Sequence, residues 1–174
     1  MPVSPPAALL IVIAEAEPLV RTHRLRFDPV AARGVPAHVT AIYPFVPRDD
    51  LDGEALARVA RVAATRSAFD YRFSETAWFD RDYLYLAPDD PSPFTSLTEA
   101  LVHEFPAFPP YEGVHDEVVP HLTVGHASGD AGLDAAEVEI RTRLPVSGRA
   151  EHLTVMTEDD AGRWSVLRRV PLGS

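Results

Sequence analysis

An unbroken apolar run, Ala7 to Ala14, stands near the start of the chain and is closed by Glu15. It is far too short to cross a bilayer and fits a strand covered on both faces, so Leu9–Glu15 reads as a central strand. Ala14-Glu15-Ala16 resembles a leader cleavage site, but no Arg or Lys precedes the run, and the expectation is a buried strand in a cytoplasmic protein. From Pro18 to Phe27 the pattern predicts a short helix with Val20 and Phe27 on one face. Asp28–Pro36, with Pro29, Gly34 and Pro36, reads as a loop. His38–Tyr43 is strand-like and Pro44 ends it. Asp52 caps a helix running to about Arg66, because Leu56, Val59, Ala60 and Ala63 follow the spacing of one buried face. Phe69, Tyr71 and Phe73 alternate with Asp70, Arg72 and Ser74, the signature of a half-buried strand. After a turn through Asp80–Asp82 comes a strand over Tyr83–Ala87, with Trp78 and Phe79 expected to close the core.

The proline-rich stretch Pro88–Pro93 predicts a hinge between two halves of one fold. Ser92 is read as the N-cap of a helix carrying Phe94, Leu97 and Leu101, with His103 on its solvent side. A second proline-rich loop, Pro106–Gly113, leads to a strand over Val118–Val124 and a helix with Leu133, Glu137, Ile140 and Leu144 on one face. A hairpin closes the chain: Ala150–Met156, a turn through Glu158–Gly162, then Trp164–Val170. Helices and strands are mixed without strict βαβ alternation and without a glycine-rich phosphate loop, which excludes a doubly wound dinucleotide fold. Residues 1–174 are expected to form one domain, with two lobes sharing a core.

Composition narrows the chemistry. At 174 residues a chain buries enough apolar surface to need no covalent or metal staple, and the absence of Cys removes disulfides, thiol nucleophiles and thiolate metal sites. There is also no Lys, Asn or Gln, so Schiff-base chemistry and a P-loop are excluded; phosphate can be met only by Arg, hydroxyls, backbone N–H groups or His. Sixteen basic against 26 acidic residues leave a net charge of −10. A chain so acidic repels polyanions at long range, which argues against a protein that tracks along nucleic acid, DNA included, and leaves a small anionic ligand open.

Composition predicts about 0.4 His-x-Thr triplets by chance, and the chain has three. They are His38-Val39-Thr40, His121-Leu122-Thr123 and His152-Leu153-Thr154. Strand alternation puts the His and Thr of each triplet on one face and the apolar residues on the other, against the core. Two such strands side by side would set two imidazoles and two hydroxyls over one cleft. That set suits phosphoester chemistry without a metal: one imidazole takes a proton from the attacking oxygen, the other gives one to the departing oxygen, and the hydroxyls donate to the non-bridging phosphate oxygens.

The segments Pro36-Ala37-His38-Val39-Thr40-Ala41-Ile42-Tyr43-Pro44-Phe45 and Val118-Val119-Pro120-His121-Leu122-Thr123-Val124-Gly125 resemble the paired motifs of the 2H phosphoesterase superfamily, in its bacterial 2′-5′ RNA ligase-like branch. The likeness extends to Pro109-Pro110-Tyr111-Glu112-Gly113 and to Gly162-Arg163-Trp164, and so covers most of the chain. The resemblance implies an α+β bilobal fold of two mixed or antiparallel sheets with flanking helices and pseudo-twofold symmetry. It also implies RNA processing or cyclic phosphodiesterase activity on 2′,3′-cyclic phosphates or 2′-5′ linkages, without a cofactor. His38 and His121 are then the catalytic pair and Thr40 and Thr123 the phosphate ligands. Better-known bacterial members often carry Arg five residues beyond the second motif's His, where this chain has His126; imidazole is the weaker phosphate ligand, so tight binding of a polyanionic RNA end is not expected.

Blander readings stand beside these. Thr is common in strands without any function. Tyr43 and Tyr111 either line the cleft and stack on a base or simply pack at its rim. His115, Asp116, Glu117, His121 and His126 form a loose cluster that would suit a zinc-dependent hydrolase, although the spacing matches no standard helical metal motif. A nucleotide or RNA-end binding module without turnover is the other competitor; two intact proton carriers argue against it. The third triplet lacks the proline that precedes His38 and His121 and is read as a decoy in the closing hairpin. The expected partner is a small nucleotide or RNA end, with no membrane and no DNA, and the expected state is a monomer.

Overall fold

The computed structural model describes residues 3–114, 117–127 and 132–174, which build two four-stranded antiparallel sheets with helices packed against them. Strand β1 (Ala8–Val12) leads through α1 (Glu17–Phe27) and the single turn α2 (Pro29–Ala32) to β2 (His38–Ile42). After α3 (Gly53–Ala64) come β3 (Phe69–Phe79), β4 (Tyr83–Pro88), α4 (Ser92–Glu104) and β5 (Leu122–His126). The chain finishes with α5 (Gly132–Arg143), β6 (Val146–Ala150), β7 (His152–Glu158) and β8 (Trp164–Pro171). Strand order is β2-β1-β7-β8 in one sheet and β5-β4-β3-β6 in the other. This is the α+β, two-lobed arrangement expected from the resemblance, with antiparallel pairing throughout both sheets.

The halves repeat one another. In each, a strand carrying a His-x-Thr motif lies at the sheet edge beside its predecessor, joined to it through a helix. The helices then cross over: α1 packs on β5 and α4 packs on β2. On one side Thr98 Oγ1 of α4 donates to the Ala41 carbonyl of β2 at 3.1 Å. On the other, Phe27 at the end of α1 lies so close to Gly125 of β5 that a Cβ there would overlap it. This reciprocal packing holds the two edge strands next to each other.

One core runs through both lobes. Val39, Ala41, Leu122 and Val124, the apolar members of the two motif strands, are buried in it with Leu9, Ile11, Leu84, Leu86, Leu97 and Leu101. Burying a large aliphatic side chain is worth ~1.5–3 kcal/mol, so the core dictates which face of each edge strand is left for His and Thr.

Several boundaries differ from expectation, each for a local reason. β1 stops at Val12 because the Ala16 N–H turns back to the Ile13 carbonyl at 3.1 Å, closing a 3-10 turn over Ala14–Ala16. The expected loop Asp28–Pro36 contains α2, capped by Asp28 accepting from the Val30 N–H and started by Pro29. Ser92 is the first residue of α4 rather than its cap. β5 begins at Leu122, not Val118, since Pro120 offers no N–H to a ladder. The expected closing hairpin is present as β7 and β8, but its first strand begins at His152 instead of Ala150, which is the last residue of β6, a strand that joins β3 in the other sheet. The Ser147-Gly148-Arg149 centre of β6 has no apolar alternation to reveal it.

Phe79 is also corrected. β3 carries a bulge between Phe73 and Glu75, which reverses its parity. Phe73 faces the core, but beyond the bulge Trp78 is the residue opposite the buried Leu84, and Phe79 and Ala77 pair with Tyr83 and Tyr85 on the other face. Trp78 therefore packs against the core and Phe79 does not. Among the described residues no helix is long and apolar enough to cross a membrane.

Candidate active site

His38 and Thr40 leave the cleft face of β2; Thr123 leaves β5, and His121 stands immediately before it. All four line one cleft of about 660 Å³. The two imidazoles are held alike: each Nδ1 lies 2.7 Å from the carbonyl oxygen two residues upstream, Pro36 for His38 and Val119 for His121. A carbonyl only accepts, so each Nδ1 carries the hydrogen and each Nε2 keeps its lone pair. The prolines near both motifs help set these local bends, Pro36 supplying the acceptor for one ring and Pro120 sitting between donor and acceptor of the other.

The surroundings of the two rings differ. His38 is half-buried at the bottom of the cleft, and desolvation pushes its pKa down to about 4; the hydrogen bond to Pro36 opposes this, while the charges of Arg24 and His121 add to it. Arg24 is 1% exposed on α1, donating through Nε and Nη2 to Asp28 Oδ2 and through Nη1 to the Val35 carbonyl. His121 is lowered by burial as well, opposed by its bond to Val119, but no guanidinium weighs on it. Instead it is enclosed by aromatic rings: Phe79 and Tyr85 meet it edge-on at 5.0 and 5.6 Å between centroids, and Tyr111 lies nearly parallel at 6.5 Å.

Tyr111 touches both motifs. Its ring faces His121, its hydroxyl is hydrogen-bonded to Thr40, and its N–H donates to the Tyr43 carbonyl at 2.8 Å. Burial holds the phenol above its ordinary pKa, so it remains a neutral O–H donor across the physiological range. Tyr43 contributes that carbonyl, while its ring packs edge-on to Trp164 at 6.0 Å and does not line the cleft.

His126 reaches the same side of β5 as Thr123 only because of a second irregularity. In a regular strand residues 121 and 126 point to opposite faces; the register shift opposite Leu84 and Tyr85 brings His126 across from Tyr83 while Thr123 stays across from Tyr85. It stacks on Tyr83 at 4.5 Å, at the outer edge of the cleft, and is itself not part of the lining. The third triplet is separated from the others. His152 is exposed, opposite Pro171, and Thr154 is 2% exposed beneath the sheet surface in the row of Leu10 and Thr40. Of the cluster considered for zinc, His115 and Asp116 lie outside the described residues, and among the described residues no three His, Asp or Glu side chains gather as a metal-holding group.

Sequence reasoning did not find Phe79, Asp80, Asp82, Tyr83, Glu117 and Asp28 as cleft residues. For Arg24 and Asp28 a signal existed: a four-residue spacing on a helix followed by Asp-Pro, the mark of a capped restart. For Phe79 none did, because the bulge that reorients it leaves no mark in the apolar pattern, whereas Tyr83 follows plain alternation with the buried Leu84 and Leu86.

The profile of the 2′-5′ RNA ligase superfamily matches residues 6–162. Among solved structures the fold is similar to E. coli LigT complexed with 3′-AMP, at 16% identity and a TM-score of 0.64 over 98% of this chain and 99% of that one. It is similar also to E. coli LigT complexed with ATP, at 18% identity and a TM-score of 0.60 over 98% and 99%. A Thermus thermophilus protein gives 17% identity and a TM-score of 0.64 over 97% and 99%. No curated protein is a significant match. With the profile covering both motif strands and nearly all of the chain between its ends, this protein belongs to the 2′-5′ RNA ligase superfamily of 2H phosphoesterases, enzymes of phosphoesterase and ligase type.

Proposed function

We propose that the protein is a 2H phosphoesterase that opens 2′,3′-cyclic phosphates, or cleaves and forms 2′-5′ linkages, of small nucleotides or RNA ends, with His38 and His121 as the proton carriers and Thr40 and Thr123 as phosphate ligands. The observation that carries this reading is the matched pair of imidazoles, each with Nδ1–H on an upstream carbonyl and Nε2 left for one shared cleft. LigT complexed with 3′-AMP and with phosphate supports it, since a nucleoside 3′-phosphate is one product of opening the cyclic ester.

The two environments support a division of roles. His38, desolvated and beside Arg24, stays neutral at physiological pH and takes the proton of the attacking water through Nε2. As the water oxygen bonds to phosphorus, the bond from phosphorus to the ribose 2′ or 3′ oxygen breaks. His121, protonated at Nε2 with the anionic phosphate beside it, gives its proton to that oxygen. The products are a phosphomonoester and a ribose hydroxyl; His38 has gained the proton that His121 lost, and exchange with solvent resets the pair. The Thr40 and Thr123 hydroxyls, with the Tyr111 phenol beside Thr40, donate to the non-bridging oxygens where charge builds. With a ribose 5′-hydroxyl in place of water and the 3′ oxygen departing, the same sequence makes a 2′-5′ linkage, and its reverse cleaves one.

Incubation with adenosine 2′,3′-cyclic phosphate, with and without EDTA, tests the reading. Turnover that survives the chelator is expected. Turnover abolished by EDTA and restored by zinc would replace this mechanism with a metal hydrolase, and no turnover on any cyclic phosphate or 2′-5′ dinucleotide would leave a binding module.

A further inference from the structure

The outer wall of the cleft is built unlike its floor. The β3–β4 turn is tight: the Asp82 N–H donates to the Phe79 carbonyl at 2.8 Å, and Asp80 and Arg81 both take positive φ, +50° and +65°. Two successive left-handed residues make a hairpin turn of the I′ type, which matches the twist of the strands it joins. Asp80 and Asp82 line the cleft with Phe79 and Tyr83. Arg81, between the two carboxylates, is committed to the other side of the sheet, over the Trp78 ring at 4.3 Å and on Asp134 at 2.9 Å. Glu117 reaches the same cleft from the segment before His121. Asp80, Asp82 and Glu117 make no ion pair among the described residues, and no arginine is among the described residues lining the cleft. The nearest guanidinium behind it, Arg24, is already matched by Asp28.

We propose that this wall selects for a single phosphate: the substrate is a nucleoside 2′,3′-cyclic phosphate with a free 5′-hydroxyl, and a 5′-phosphate is refused. The inference rests on the function proposed above, which seats the cyclic phosphate on the His and Thr floor. A cleft of about 660 Å³ takes a mononucleotide, so what extends from the floor to the wall is the 5′ group and the base. Ionised carboxylates only accept hydrogen bonds. A 5′-hydroxyl and the amino groups of a base can donate to them, and Phe79 and Tyr83, although one face of each is already stacked on Tyr85 or His126, give the wall an apolar surface for the base. A phosphate brings further acceptors and like charge, with no cation there to meet it.

The experiment compares adenosine 2′,3′-cyclic phosphate with its 5′-phosphorylated counterpart, in turnover by the native protein and in calorimetric binding to His38→Ala, where turnover is not needed. The 5′-phosphate should lower kcat/KM and weaken binding by about tenfold or more, and the ratio should shrink in Asp80→Asn/Asp82→Asn and at raised salt. Asn tolerates the left-handed backbone at position 80, so that variant keeps the turn. Equal binding of the two nucleotides, or a ratio that the double variant leaves unmoved, overturns the inference. Selective binding to His38→Ala together with no turnover by the native protein would uphold the wall and sink the catalytic reading instead.

Discussion

His38 and His121 share one backbone arrangement but not one electrostatic setting, and the difference sets the pH response. Burial pushes His38 down to about 4, so it is neutral through the working range; in the proposed mechanism His121, also held below its ordinary value by burial, must be protonated to act. For free enzyme, raising the pH through the His121 titration removes the acid, and lowering it towards about 4 protonates the base, so kcat/KM should form a bell whose maximum lies on the acid side of neutrality. An anionic phosphate beside the imidazolium favours its charged form, so the alkaline limb of kcat should lie above that of kcat/KM. Initial rates from pH 4 to 9 measure both limbs, and a steady climb from pH 5 to 9 would contradict a two-imidazole mechanism. The same reasoning separates the three triplets. His38→Ala and His121→Ala should each cost at least about 10²-fold in kcat with the fold retained, because positioned acid–base groups contribute that much. His152 is exposed and does not line the cleft, so His152→Ala should keep most activity. If instead His152→Ala is as inactive as His121→Ala while His38→Ala survives, the chemistry lies between the last two triplets.

At the scale of elements, the cleft depends on the exchange of helices between lobes. α1 sits on β5 and α4 on β2, so each motif strand is backed by a helix from the other half. Gly125 is the point of closest approach, where any side chain overlaps Phe27. Gly125→Ala should destabilise the protein by about 1–3 kcal/mol through overpacking, seen as a lower urea midpoint with unchanged slope. Because β5 shifts away from β2, kcat should fall while the pH limbs stay in place; a native midpoint would show that the contact is not tight. Such contacts mark where sequence reading ended. The motif strands and their parity were legible, since alternation against a core leaves a direct trace at Val39, Ala41, Leu122 and Val124; that His38 and His121 belong to one cleft came from the resemblance, because alternation alone treats all three triplets alike. The bulges in β3 and at the β4–β5 pairing were not: each inverts parity without altering the apolar pattern, the first carrying Phe79 and the second His126 to the cleft side. β6 was missed because an edge strand centred on Ser-Gly-Arg gains its place from pairing with β3, not from its own composition.

Across the whole molecule, the net charge is −10, and no arginine is among the described residues lining the cleft. Arg24 and Arg33, the residues from which a basic track near the cleft would have to start, are both committed: Arg24 to Asp28, Arg33 to Glu158 and to the Gly162 carbonyl. Arg48, Arg58, Arg72, Arg81, Arg141, Arg149 and Arg163 likewise face carboxylates. Surface pairs of this kind add little stability, yet each cancels a charge that a phosphate backbone would otherwise meet. An RNA strand entering the cleft by its cyclic-phosphate end brings one further phosphate for every nucleotide beyond the first, and these approach a surface of their own sign. Counterion release, which drives ordinary RNA binding, needs cations that the described lining of the cleft does not supply, so the usual loss of affinity with salt should be missing and even reversed. The expected outcome is that kcat/KM for a single-stranded oligonucleotide ending in a 2′,3′-cyclic phosphate lies below that for the cyclic mononucleotide at low salt. Added salt should then narrow the gap as the repulsion is screened within a Debye length of about 8 Å at physiological ionic strength. Rates measured for both substrates between low and physiological salt decide it: tight oligonucleotide binding that weakens as salt is added would mean that a cationic path for the strand exists after all.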